Sequence, residues 1–185
     1  MKKVLLVLAL PILLTVGCAP EAKGQLPPPP AGSYTVVLDA SSSKLTKDDS
    51  SAAYTVELKT LENESVTYKV EIGAPMYLKD VSDGTKTYTE MIVKPGAYFK
   101  SKSNYTVSRI RCDIYEGRGI NYEVHNKANG SGTKLEEHKS DVTPVYAADS
   151  GAVYEYEVNA NEWSITNPTN YKPAFYSVTI IFEVK

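Results

Sequence analysis

From about residue 33 onward the chain alternates apolar and polar side chains with a period of two, the spacing of a strand that buries one face. Tyr54, Val56 and Leu58 interleave with Thr55, Glu57 and Lys59, and Val66, Tyr68, Val70 and Ile72 interleave with Thr67, Lys69 and Glu71. Glu62, Asn63, Glu64 and Ser65 lie between the two runs, so the pattern predicts an antiparallel hairpin. Tyr34, Val36 and Leu38 supply an earlier strand. Residues 85–94 form another, ending at the turn pair Pro95-Gly96. Over residues 105–115 the period puts Ile110, Cys112 and Ile114 on one face and Arg109, Arg111 and Asp113 on the other. Ile120, Tyr122 and Val124 follow the turn Gly117-Arg118-Gly119, and Tyr154, Tyr156 and Val158 alternate with Glu155 and Glu157. Tyr176, Val178, Ile180, Phe182 and Val184 close the chain, and this longest and most apolar run is expected at the centre of a sheet.

No window carries a sustained helical stripe, and the aromatic residues are dominated by 14 tyrosines, a strand-favouring type. Roughly eight to ten strands in one domain predict an all-β fold, a two-sheet antiparallel β-sandwich of immunoglobulin-like or jelly-roll-like type. A closed barrel is the alternative. An outer-membrane barrel fits less well, because the polar faces carry Lys, Glu and Thr where a lipid-facing band should be apolar.

The first residues obey a different rule. Lys2 and Lys3 form a positive start, and residues 4–14 form an apolar stretch broken by Pro11, too short to cross a bilayer. Leu14-Thr15-Val16-Gly17-Cys18 then resembles the lipobox of bacterial lipoproteins, with Thr15 where that family usually has leucine. The resemblance implies cleavage after residue 17, acylation of Cys18 and attachment to a membrane by two or three acyl chains, enough for stable anchoring. Ala19 is not aspartate, which in a Gram-negative envelope resembles the outer-membrane signal. Residues 1–17 are thus expected to be a signal peptide and residues 18–32 a tether. Four consecutive prolines at 27–30 stiffen that tether toward polyproline II, and the domain follows over residues 33–185.

The formal charge is −2, from 20 basic and 22 acidic residues, and loss of Lys2 and Lys3 makes the mature chain more acidic. That balance excludes a nucleic-acid partner. Once Cys18 is acylated, Cys112 has no disulfide partner, and its isoleucine neighbours predict a buried, inert thiol. His125 and His138 are the 2 histidines. His138 beside Glu136 and Glu137 reads as a solvated loop, because adjacent residues seldom converge on one ion. Glu155 and Glu157 read as a solvent-facing acidic ladder, and Asp48-Asp49 and Asp80-Val81-Ser82-Asp83-Gly84 as ordinary turns without a calcium-loop pattern. No catalytic residue, metal site or cofactor is expected.

What remains is contact chemistry. Trp163 and Tyr171 lie in or beside polar loop sequence and are the candidate ligand-binding residues, suited to stacking on sugar rings if exposed. The expected role is a non-catalytic interaction or structural module of the cell envelope, tethered to the membrane by its lipid and engaging an envelope protein. Glycan binding through Trp163 and nearby tyrosines is the alternative. Residues 127–151 are expected to form a long irregular connection.

Overall fold

The computed structural model describes residues 29–50, 52–82, 84–145 and 151–185. The leader, Cys18 and most of the tether lie outside these residues. The described chain is antiparallel β, joined by hydrogen bonds into one curled sheet. Its strands are β1 (Gly32–Asp39), β2 (Tyr54–Lys59), β3 (Thr67–Gly73), β4 (Met76–Ser82), β5 (Thr87–Val93), β6 (Tyr98–Tyr115), β7 (Glu123–His125), β8 (His138–Lys139), β9 (Gly151–Thr166) and β10 (Ala174–Val184). One turn of 3-10 helix, Glu116–Arg118, follows β6.

The hairpin read from the alternation forms as expected. Tyr54 pairs with Ile72 and Lys59 with Thr67, and Val56, Leu58, Tyr68, Val70 and Ile72 all face the core. β10 is flanked by β1 and β6 along most of its length, as its apolar alternation requires. It is not the longest strand, however: β6 and β9 run 18 and 16 residues. Their length has a structural use. β6 pairs with β9 over residues 98–102 and again over 107–115, and its other edge is divided, with residues 98–100 on β3 and residues 106–114 on β10. The register slips between Lys102 and Arg109, where Asn159 of β9 takes φ 48°. A bulge of this kind bends a ribbon and lets one strand pair serve two stretches of sheet.

The bend folds the inner faces over a shared core. Tyr68 of β3 packs on Phe182 of β10 at 4.8 Å between ring centroids, although the two strands are not paired. Tyr34 and Tyr105 pack on the same phenylalanine. Phe99, Trp163, Ile110, Ile180, Val36 and Leu38 fill the rest.

Three local expectations are corrected. Residues 80–82 belong to β4, not to an acidic turn, because their backbone pairs with β5 while Asp80 takes Lys47 and the Thr89 hydroxyl at the surface. The stretch after Gly117 does not resume as a strand at Ile120. Gly119 has φ 75°, and the ladder restarts only at Glu123. The connection after β7 is also less irregular than expected. It turns back on β7 through Asn126 N–H to Thr133 O and Leu135 N–H to Val124 O, then adds β8 to β9.

Candidate functional site

The solvent side of β1, β10, β6 and β9 is built by register. Val37, Thr179, Arg111 and Glu155 lie in one row across the four strands. Thr35, Ile181, Arg109 and Glu157 form the next row toward the tether, and Asp39, Ser177, Asp113 and Val153 the row on the other side. Each row is polar or mixed because these positions alternate with the core-facing Val36, Ile180, Ile110 and Tyr156.

Glu155 organises the middle. Arg111 Nε donates to one carboxylate oxygen at 2.6 Å, Arg109 Nη1 donates to the other at 3.2 Å, and Ser140 Oγ adds a third bond at 3.1 Å. Burial alone would raise its pKa, but these hydrogen bonds and the two guanidinium charges hold it below the usual carboxylate value. Glu157 lies opposite Arg109 in the next row, so the two guanidinium groups are matched by two carboxylates. Beside Arg109 lies a concavity of about 340 Å³ lined also by Ser33, Ser108, Glu157, Asn159, Ile181 and Glu183.

At the other end, residues 140–145 cross the sheet. Ser140 N–H bonds Val153 O, and Val145 N–H donates to Asp113 Oδ2 at 2.6 Å. Asp113 is thereby 6 % exposed, and its other oxygen has no hydrogen-bond partner among the described residues. Burial, opposed only by the Val145 bond, pushes its pKa up to about 6. The segment is held from below as well. Lys139 bonds both oxygens of Glu116, and Tyr154 OH donates to the same carboxylate at 2.5 Å. Val142 and Val145 stand outward, 45 % and 59 % exposed.

Trp163 is not where the polar sequence around it suggested. It sits within β9, opposite Ser101 of β6, fully buried, with Nε1 donating to Tyr68 OH at 2.9 Å. Its flanking Asn161 and Glu162 belong to the solvent-facing and bulged part of the strand, so local polarity disguised a core position. Tyr171 is exposed, at 66 %, on a turn fixed by Asn167 and Thr169. With Trp163 inside, the two aromatics do not make a shared stacking surface.

The remaining candidates resolve locally. Cys112 is fully buried beside Tyr122, and burial pushes its thiol pKa far up, the opposite of activation. His125 links Gly132 O and Glu123, which also binds Lys134, and so fastens the connection after β7. His138 is exposed on β8, while Glu136 and Glu137 line a shallow surface hollow. Among the described residues no group of three His, Cys, Asp or Glu side chains could hold a metal ion. Cys18 lies outside the described residues. Neither Arg109 nor Asp113 was singled out from the sequence as a functional residue. The only signal available was their shared face on one alternating strand.

Comparison with protein-family models, with curated proteins and with solved structures finds no match for this chain.

Proposed function

We propose that this chain is an extracytoplasmic lipoprotein, acylated at Cys18, whose β-domain acts as a non-catalytic interaction module of the cell envelope and docks a partner at the end of the sheet remote from its anchor. The finer fold assignment belongs to the same reading: a sandwich-like body, immunoglobulin-like or jelly-roll-like, supported by the packing of β3 against β10 without hydrogen bonds between them.

The observation that carries the reading is the polarity of the domain. Tyr34 OH donates to Pro30 O at 2.9 Å, which fixes the last proline of the tether to the first residues of β1. Asp39, at the other end of β1, shares its row with Asp113, the residue that holds Val145. Seven residue steps along β1, from Gly32 to Asp39, separate the two ends by about 23 Å. Val142, Val145 and Tyr171 are exposed toward that remote end, whereas Leu61 is an exposed large apolar residue near the junction. Exposed apolar side chains placed away from the membrane suit a protein partner. A glycan-binding alternative loses Trp163 and would rest on Tyr171 and the concavity beside Arg109.

The test has two arms. Full-length protein made in a bacterial host is expected to enter the detergent phase of a Triton X-114 split and to incorporate a labelled fatty acid, both abolished by Cys18→Ala. Aqueous partition of the unsubstituted chain removes the anchor. A photo-crosslinking amino acid at position 142 or 171 is expected to capture an envelope protein in cells that the same probe at position 61 does not. Equal yields from all three positions remove the polarity argument.

A further inference from the structure

The sheet's long edges are not treated alike. The free edge of β1 is covered by its own chain: Leu61 N–H bonds Thr35 O, Glu62 takes Thr35 N–H, and Ser42 Oγ bridges Asp39 N–H and Val37 O. The first half of the free edge of β4 is covered in the same way. Leu78 N–H bonds Thr46 O, and Ser50 exchanges bonds with Met76 through both backbone and hydroxyl. β2 differs. Thr60 N–H bonds Val66 O, so Thr60, Leu58, Val56 and Tyr54 direct their backbone groups to β3, and Thr55, Glu57 and Lys59 direct theirs outward. Among the described residues none of those outward groups has a backbone partner until Leu61 meets Thr35.

We propose that this edge pairs with β2 of a second copy of the chain, antiparallel and two-fold symmetric about Leu58. The charges select both the partner and the register. Centred on Leu58, the pairing sets Glu57 opposite Lys59 of the partner subunit and Lys59 opposite Glu57 of the partner subunit, two cross-strand ion pairs made by one symmetry operation. Centred on Glu57, it would set two carboxylates face to face. Glu57 and Lys59 both direct backbone groups outward, so they fall on hydrogen-bonded sites and the ladder gains four hydrogen bonds. Their present contacts do not oppose this: Glu57 takes the Thr67 hydroxyl, and Lys59 meets Glu64, itself 83 % exposed. On the inner side Leu58 meets Leu58 of the partner subunit, and the ladder ends short of Leu61, whose N–H is already held by Thr35 O of its own chain. The pairing uses neither Cys18 nor residues 140–145, so it stands apart from the proposed anchor and its docking end.

Mixing full-length Glu57→Cys with full-length Lys59→Cys tests the register directly. In the proposed dimer the two cysteines face each other across a hydrogen-bonded pair, about 5.5 Å between Cα atoms and within disulfide reach, while the remaining lysine and glutamate keep one ion pair. The mixture is expected to oxidise to a heterodimer at several times the yield of either variant alone. Lys59→Glu should weaken self-association at least about tenfold, and Glu57→Lys with Lys59→Glu should restore it to within about threefold, since only the sense of each pair is reversed. Fluorescence of the buried Trp163 verifies that each variant is folded. Equal disulfide yields in the mixture and the single variants, a monomer at all concentrations, a charge swap that fails to restore association, or capture at position 57 of a different protein instead of a second copy overturns the proposal.

Discussion

Asp113 is a carboxylate that the fold takes almost entirely out of water. Its pKa rises from 3.8 to about 6 because residues 140–145 remove it from water and return a single N–H. The sign follows from linkage: the folded state holds this proton more tightly than the unfolded state. The group's stabilising contribution is therefore complete below about pH 3.8 and lost as pH rises through about 6. Two pKa units correspond to about 3 kcal/mol, an upper figure. Asp113→Asn keeps an acceptor for Val145 and removes the charge, so it is expected to exceed the parent in stability by about 1–3 kcal/mol near neutral pH and to lose that advantage by about pH 4. Urea melts of both proteins across that range measure the difference, which isolates Asp113 from Glu71, Glu116 and Glu155, whose pKa values are lowered and whose effects run the other way. Trp163 illustrates the same scale in a neutral setting. Trp163→Phe removes the donor to Tyr68 OH and part of a fully buried ring, and a loss of about 2 kcal/mol is expected in the same melts.

Two backbone positions decide how the elements meet. Gly73, the last residue of β3, lies opposite Tyr98, whose ring covers it so closely that a Cβ would come within 2.3 Å of a ring carbon. The ring has little freedom to retreat, because its hydroxyl bonds Glu71 and Lys100 Nζ sits 4.4 Å from its centroid. Gly73→Ala is expected to cost about 1–3 kcal/mol, and much less in a Tyr98→Ala background, a coupling that a double-mutant cycle reads. Asn159 holds φ 48° at the bulge that turns the β6–β9 ribbon. Asn159→Gly should be nearly neutral, whereas Asn159→Val places a β-branched side chain in the left-handed region and should cost about 1–2 kcal/mol by thermal melting.

At the scale of the whole molecule the curl depends on a few rings that join strands distant in sequence. Phe182 lies 4.8 Å from Tyr68, 5.0 Å from Tyr105 and 5.9 Å from Tyr34, so it draws β10, β3, β6 and β1 together. Phe182→Ala is expected to cost about 3–5 kcal/mol in a chemical denaturation midpoint; a loss below about 1 kcal/mol would mean that the curl is held elsewhere. The strands, the 54–72 hairpin and the buried Cys112 could be read without the fold, because a period of two assigns each side chain a face from its immediate neighbours alone. The same local rule misplaced Trp163, whose polar neighbours lie on the solvent side of a strand that the sequence suggested was a loop. It also left Arg109, Arg111 and Glu155 as separate charges and gave no sign that Val145 would cover Asp113. Those outcomes depend on strand register and on where a distant segment lands, and register is fixed by the packing of the two faces together. Alternation along the chain determines which way a residue points; only the assembled sheet determines what it points at.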